Sequence, residues 1–166
     1  RELPAPPPPG PPPTDTAQAL IEPPGQPRAG GGLFDLPRLQ SDELLPVPVV
    51  SALSAAGMTA GILKASTRVE STIGMFAFTV RDEQAAIDVA NTIADVQRNG
   101  GLQEDQDRAQ QGVTVLGTAE NSPSTVYRAV YVLYDRVVFL EVFGSARSTV
   151  LANFDSLLEE QVNYAP

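Results

Sequence analysis

The chain has 166 residues, 42% of them hydrophobic, a formal net charge of −9, and neither Cys nor His. Without Cys there is no disulfide and no thiolate chemistry. Without His the usual general base and the commonest zinc ligand are missing, which excludes a Ser-His-Asp triad and an ordinary zinc site. The acidic balance repels phosphate backbones and argues against nucleic acid as a partner, and no apolar run is long enough to span a membrane.

The length suits one domain, but proline is unevenly spread: eleven of the 16 prolines lie in residues 1–32. Residues 4–13 are almost pure proline, which has no backbone donor and a fixed φ, so polyproline II is the conformation left to them. Ala17 to Ile21 form a short apolar patch able to dock or to make one helical turn, before Pro23-Pro24-Gly25 and Gly30-Gly31-Gly32 break the chain again. Residues 1–32 therefore read as a disordered, proline- and glycine-rich arm, a spacer or a ligand for an aromatic groove. Residues 33–166 read as one α+β domain. The chain starts at Arg1 rather than Met, as after removal of a signal peptide or lipid-anchor segment, or at a boundary within a longer chain.

Leu33, Phe34, Leu36 and Leu39 form an apolar entry to the domain, and Ser41-Asp42-Glu43 has the look of a helix start. Pro48 fits the opening of a helix that carries Val49, Val50, Leu53 and Ala56 and stops at Gly57. Residues 58–67 are ambiguous. From Arg68 to Arg81 the pattern is a strand with both faces partly apolar, with Gly74 as the place for a bulge. Asp82 is an N-cap, and Ala86, Val89, Ala90, Ile93 and Val96 form the buried stripe of a helix over 83–98 that ends at Asn99-Gly100-Gly101.

Residues 102–112 are polar and read as a surface loop or a short exposed helix, followed by a strand from Val113 to Leu116. A hairpin over Thr125–Phe143 reverses at Asp135-Arg136, with Val126, Arg128, Val130, Val132 and Tyr134 on one face and Tyr127, Ala129, Tyr131 and Leu133 on the other. Ser145 caps a last helix, whose stripe runs through Val150, Leu151, Phe154, Leu157, Leu158 and Val162. The expected architecture is an antiparallel or mixed sheet of four to five strands with both main helices packed on one face.

No catalytic, cofactor or metal residues stand out. Glu104, Asp105 and Asp107 are close in sequence but lack the further oxygen ligands and central Gly of a calcium loop. A Ser-Lys pair would depend on Lys64, the only lysine. Tyr127, Arg128, Tyr131, Tyr134 and Arg136 on the hairpin are the candidate partner-binding residues, because aromatic and guanidinium groups dominate recognition surfaces. Glu141, opposite Arg128, would make a cross-strand pair.

In the run FTVRDEQAAIDVANTIADV and again in YRAVYVLYDRVVFLEVFG, the chain resembles domains of actinobacterial cell-envelope lipoproteins, in the style of mycobacterial LpqN-type lipoproteins and of the extracellular sensor domains of mycobacterial serine/threonine kinases. The resemblance implies an extracytoplasmic domain, membrane-anchored or secreted, with a lipid anchor upstream of Arg1 and the arm as its tether. It implies no catalytic residues and no cofactor. The expected function is a non-enzymatic tethered binding module for an envelope or membrane protein, or for a lipid or cell-wall ligand. The alternatives are an accessory subunit of an envelope membrane complex, with the arm lying along its partner, and an unrecognised hydrolase.

Overall fold

In a computed structural model of the chain, residues 15–165 are described. After a short 3-10 helix at Thr16–Ala19 come β1 (Gln26–Pro27), β2 (Gly32–Phe34), α1 (Leu36–Ser41), α2 (Val47–Ala55), β3 (Ala60–Arg68) and β4 (Ser71–Thr79). Then follow α3 (Glu83–Asn99), β5 (Gln103–Glu104), β6 (Val113–Gly117), β7 (Thr125–Leu133), β8 (Arg136–Gly144) and α4 (Arg147–Tyr164). The strands form one antiparallel sheet in the order β1-β3-β4-β8-β7-β6-β5, with β2 also paired to β3.

Among the described residues the sheet therefore has eight strands, not four or five. The extra strands come from segments whose side chains carry little strand signal. β1 lies in the proline- and glycine-rich lead and β2 at the junction where it meets the domain, β3 is the ambiguous stretch, and β5 is in the polar loop. Edge strands are held by a neighbour's unpaired backbone, so period-two hydrophobicity does not announce them.

A second correction concerns the helices, which lie on opposite faces rather than together on one. Ile73 and Met75 of β4, Tyr127 and Tyr131 of β7, and Val138 and Leu140 of β8 pack with Val150, Phe154, Leu157 and Leu158 of α4. The alternate residues, Phe78 of β4, Val130 of β7, and Val137 and Phe139 of β8, pack with Ala86, Val89 and Ile93 of α3 and with Val49 and Leu53 of α2. The reason is in the strands themselves: with both faces apolar, a sheet leaves one face wet unless a helix covers each.

The part of the lead from Asp15 onward belongs to this packing. Ala19 and Leu20 are buried beside Ile62 on the α4 face. The chain then turns over the sheet edge, where Gln26 and Pro27 pair with Thr67 and Ser66, and Gly32 to Phe34 pair with Leu63 to Gly61. The proline run 4–13 lies outside the described residues.

Local signals hold with small shifts. Asp82 caps α3, its carboxylate accepting from the Ala85 N–H at 2.8 Å. Asp35 caps α1, so that helix begins before Ser41-Asp42-Glu43 instead of at it. The N-cap of α4 is Ala146, with no side-chain hydrogen bond, in place of Ser145. The β7–β8 reversal is the two-residue turn Tyr134-Asp135, with Tyr134 in the left-handed region at φ 56°.

Candidate functional site

The two faces of the sheet are closed to different degrees. On the α4 face, Gln161 is fully buried in the apolar stripe of its helix. Its amide oxygen accepts from the Ile21 N–H at 3.0 Å, and its amide nitrogen donates to the Ala19 carbonyl at 2.6 Å and to the Tyr131 hydroxyl at 3.2 Å. The Tyr131 hydroxyl donates in turn to the Ala165 carbonyl at 2.6 Å. One side chain thus ties the N-terminal segment, β7 and the end of α4 together, and each buried polar group has a partner. Burial pushes the Tyr131 phenol up to about 12.

Tyr127, on the same face, lies against Phe154 with ring centroids 5.4 Å apart, and the guanidiniums of Arg108 and Arg147 sit 5.5 and 5.6 Å from its ring centroid. Its hydroxyl donates to Asp105 and accepts from Arg147, both at 3.2 Å. Arg108 bridges Asp105 and Asp155, each at 3.0 Å. Burial alone would raise the Asp105 carboxyl. Hydrogen bonds from the Arg108 side chain and main chain and from Tyr127 stabilise its charged form, and the net shift is downward. For Tyr127, burial first and the Asp105 charge second push the phenol up. This cluster fastens the polar loop to α4. Among the described residues no group of three or more acidic side chains is placed to hold a metal ion.

The α3 face is more open. Four phenylalanines meet edge to face or stacked there: Phe34 with Phe76 and Phe78, and Phe76 with Phe78 and Phe139, at 5.7–6.4 Å between centroids. Helix α3 covers the middle of the face and leaves a concavity on either side. One, of about 480 Å³, runs between Ile87, Ala90 and Asn91 of α3 and a floor of Thr114, Val130 and Val132, with Tyr134 also lining it. The other, of about 260 Å³, lies between Gln97 at the end of α3, Leu44–Pro46 ahead of α2, and the strands.

The floor of this smaller groove is set by one residue. Gly74 pairs in register with Ala65 on one side and Glu141 on the other, so it marks no bulge. A Cβ built on it would meet no atom within 4 Å. Elsewhere in the sheet glycine has a different use: Phe34 lies over its cross-strand partner Gly61, and Tyr127 over its partner Gly117. Gly61 and Gly117 each seat a ring, and Gly74 seats nothing. Around it stand Phe76, Phe139 and Phe143, and Phe143 and Leu44 are among the exposed large hydrophobic residues.

The polar wall is Arg128. Its Nε donates to Glu141 at 2.7 Å, directly across the strand pair, and it also donates to the Gln97 side chain. Glu141 holds one edge of the guanidinium and Gln97 steadies another.

The five hairpin residues are thus dispersed. Tyr127 and Tyr131 have buried side chains on the α4 face. Arg136 is buried beside Asp135, with which it pairs at 2.9 Å. Tyr134 lines the larger groove and Arg128 the smaller one. Alternation along β7 separates Arg128 from Tyr127 by construction. Gly74, Phe76, Phe143 and Gln97 were not among the candidates. Gly74 in an otherwise bulky strand was the available signal, because a glycine with no turn to make leaves room for something else.

No family model matches the chain, and no curated protein matches it. Among solved structures, the extracellular domain of PknH from Mycobacterium tuberculosis is similar over 84% of this chain and 80% of that one, at 14% identity and a TM-score of 0.47. At that level of likeness, the function of this chain has to come from its own geometry. No helix among the described residues is long and apolar enough to cross a membrane.

Proposed function

We propose that the chain is a non-enzymatic, extracytoplasmic binding module, tethered through its N-terminal arm, and that its ligand seat is the groove over Gly74. The observation that carries this reading is an apolar floor held open at a residue with no side chain, beside a held guanidinium. Ligand sites combine apolar lining with a few placed polar groups in just this way. The lack of His and Cys, and the pairing of Asp105 with Arg108 and Glu141 with Arg128, leave few groups free for acid-base or nucleophilic work. The tether would raise the effective concentration of the module at a membrane surface, so a weak seat is enough.

The test is a variant that fills the groove and leaves the fold alone. Gly74→Phe points its ring into the open space. Backbone NMR of the wild type, titrated with a panel of alkyl and aromatic amphiphiles, should show saturable shifts centred on Gly74, Gln97 and Phe143. Those shifts should vanish in Gly74→Phe, with its unfolding midpoint kept. A wild type that shows no saturable shift with any probe, or a filled variant that still responds, would sink the reading.

A further inference from the structure

The lining of the Gly74 groove also points to the kind of molecule that occupies it; this step rests on the reading just given. The protein carries a net charge of −9, yet the charged residues that line this groove are two arginines, Arg28 and Arg128, and one carboxylate, Glu141. Arg28 has no carboxylate partner among the described residues. Its main-chain N–H bonds to the Ala65 carbonyl at 2.9 Å, which fixes its backbone at the rim. Arg128 uses Nε on Glu141 and Nη1 on Gln97, and a guanidinium has five N–H donors. Its Nη2 edge makes no hydrogen bond to the described residues. Arginine held from behind by a carboxylate and an amide, with an edge left over, is arranged to receive a planar anion in a two-pronged hydrogen bond.

The apolar side sets the size. A volume of about 260 Å³ holds roughly nine water-sized groups at ~30 Å³ each. Phe76, Phe139 and Phe143 would line the tail, and the missing Cβ of Gly74 leaves its floor clear.

We infer that the groove binds a small amphiphilic carboxylate, an apolar tail of about eight carbons with one acidic head, the head on Arg128 and the tail over Gly74. The bland reading of Arg128 and Glu141 as a surface cross-strand pair accounts for their register. It does not account for the open floor beside them or for Arg28 at the rim, which has no carboxylate partner among the described residues.

Three eight-carbon probes that differ in the head group separate the parts: n-octanoate, n-octanol and n-octylammonium, titrated into the full chain with NMR shifts of the Gly74 amide and the Arg128 Nε–H as readout. Octanoate should bind about tenfold or more tightly than octanol, because hydrogen bonds to charged groups are the stronger kind. Arg128→Gln paired with Glu141→Gln, which avoids leaving a half-buried charge without its partner, should bring octanoate down to the affinity of octanol. Should the pair fail to fold, Arg28→Ala at the exposed rim gives the second reading: octanoate should weaken by about two- to threefold, and added salt should erase the difference. Equal binding of octanoate and octanol, or tighter binding of octylammonium on Glu141, overturns the carboxylate assignment while the groove stands. No binding of any of the three overturns the groove as well.

Discussion

The two faces of one sheet have opposite characters, although both are built on the same four long strands. Under α4, polar atoms are locked inward: Gln161, Tyr131, Tyr127 and Asp105 are all committed to partners. Under α3, the apolar stripe of the helix covers only the middle of the sheet, and aromatic surface is left at its margin. A lone helix covers a strip about 10 Å wide, narrower than a twisted sheet of this many strands. The N-terminal segment fills the remaining width on the α4 face, where Ala19 and Leu20 sit. On the other face the short α1 and α2 cover one end and the groove begins where they stop. Closure stabilises one face, and incomplete closure leaves open grooves on the other.

The difference can be broken hardest at Gln161. Gln161→Leu leaves the Ile21 N–H and the Ala19 carbonyl without partners, and should cost about 2–4 kcal/mol at the usual penalty for stranded buried groups. Urea unfolding measures it, and the Ile21 amide should lose its protection from exchange. A change under ~0.5 kcal/mol, within the range of ordinary surface substitutions, would mean that the α4 face is not closed by this network.

Next in size is an alkaline effect. Folding raises the Tyr131 phenol to about 12, whereas an unfolded tyrosine ionises near ~10. The unfolded chain loses this proton first. The contribution is therefore complete below about pH 10 and declines as pH rises toward 12, by about 3 kcal/mol in all. Tyr131→Phe should flatten that decline, as seen in denaturant midpoints measured across the range, at a smaller cost at neutral pH for the lost bond to Ala165. A wild-type curve that stays level to pH 12 contradicts the burial of this hydroxyl.

The smallest effect sharpens the contrast with a single methyl group. Gly117→Ala drives a Cβ into the Tyr127 ring and should cost about 1 kcal/mol or more. Gly74→Ala meets open space and should stabilise by about 0.5 kcal/mol, since glycine is a poor strand residue. A thermal midpoint that falls for Gly74→Ala as it does for Gly117→Ala would mean that the groove floor is not open.

Much of the fold was legible along the chain. The α3 boundaries follow from Asp82 and the two glycines after Asn99, and the hairpin and the α4 stripe follow from period and composition. Less of the site was. The pairing of Arg128 with Glu141 across the strands was legible, and the register shows it. That Tyr127 and Tyr131 would be buried and Arg128 would line a groove depended on which face each helix took, and an amphipathic stripe does not name its partner surface.

The proline-rich lead shows the same limit. Composition marked its breaks, and the Ala17–Ile21 patch had the means to dock. Its pairing along β3 and its hold on Gln161 depend on groups about 40 and 140 residues away. Caps, periodicity and missing side chains act within a few residues, so the local elements and the classes of chemistry that are closed can be read along the chain. The tertiary structure decided the strand count, the face each helix covers and the open floor at Gly74. Those are set by which distant surfaces meet, and by which surface is left with nothing to meet it.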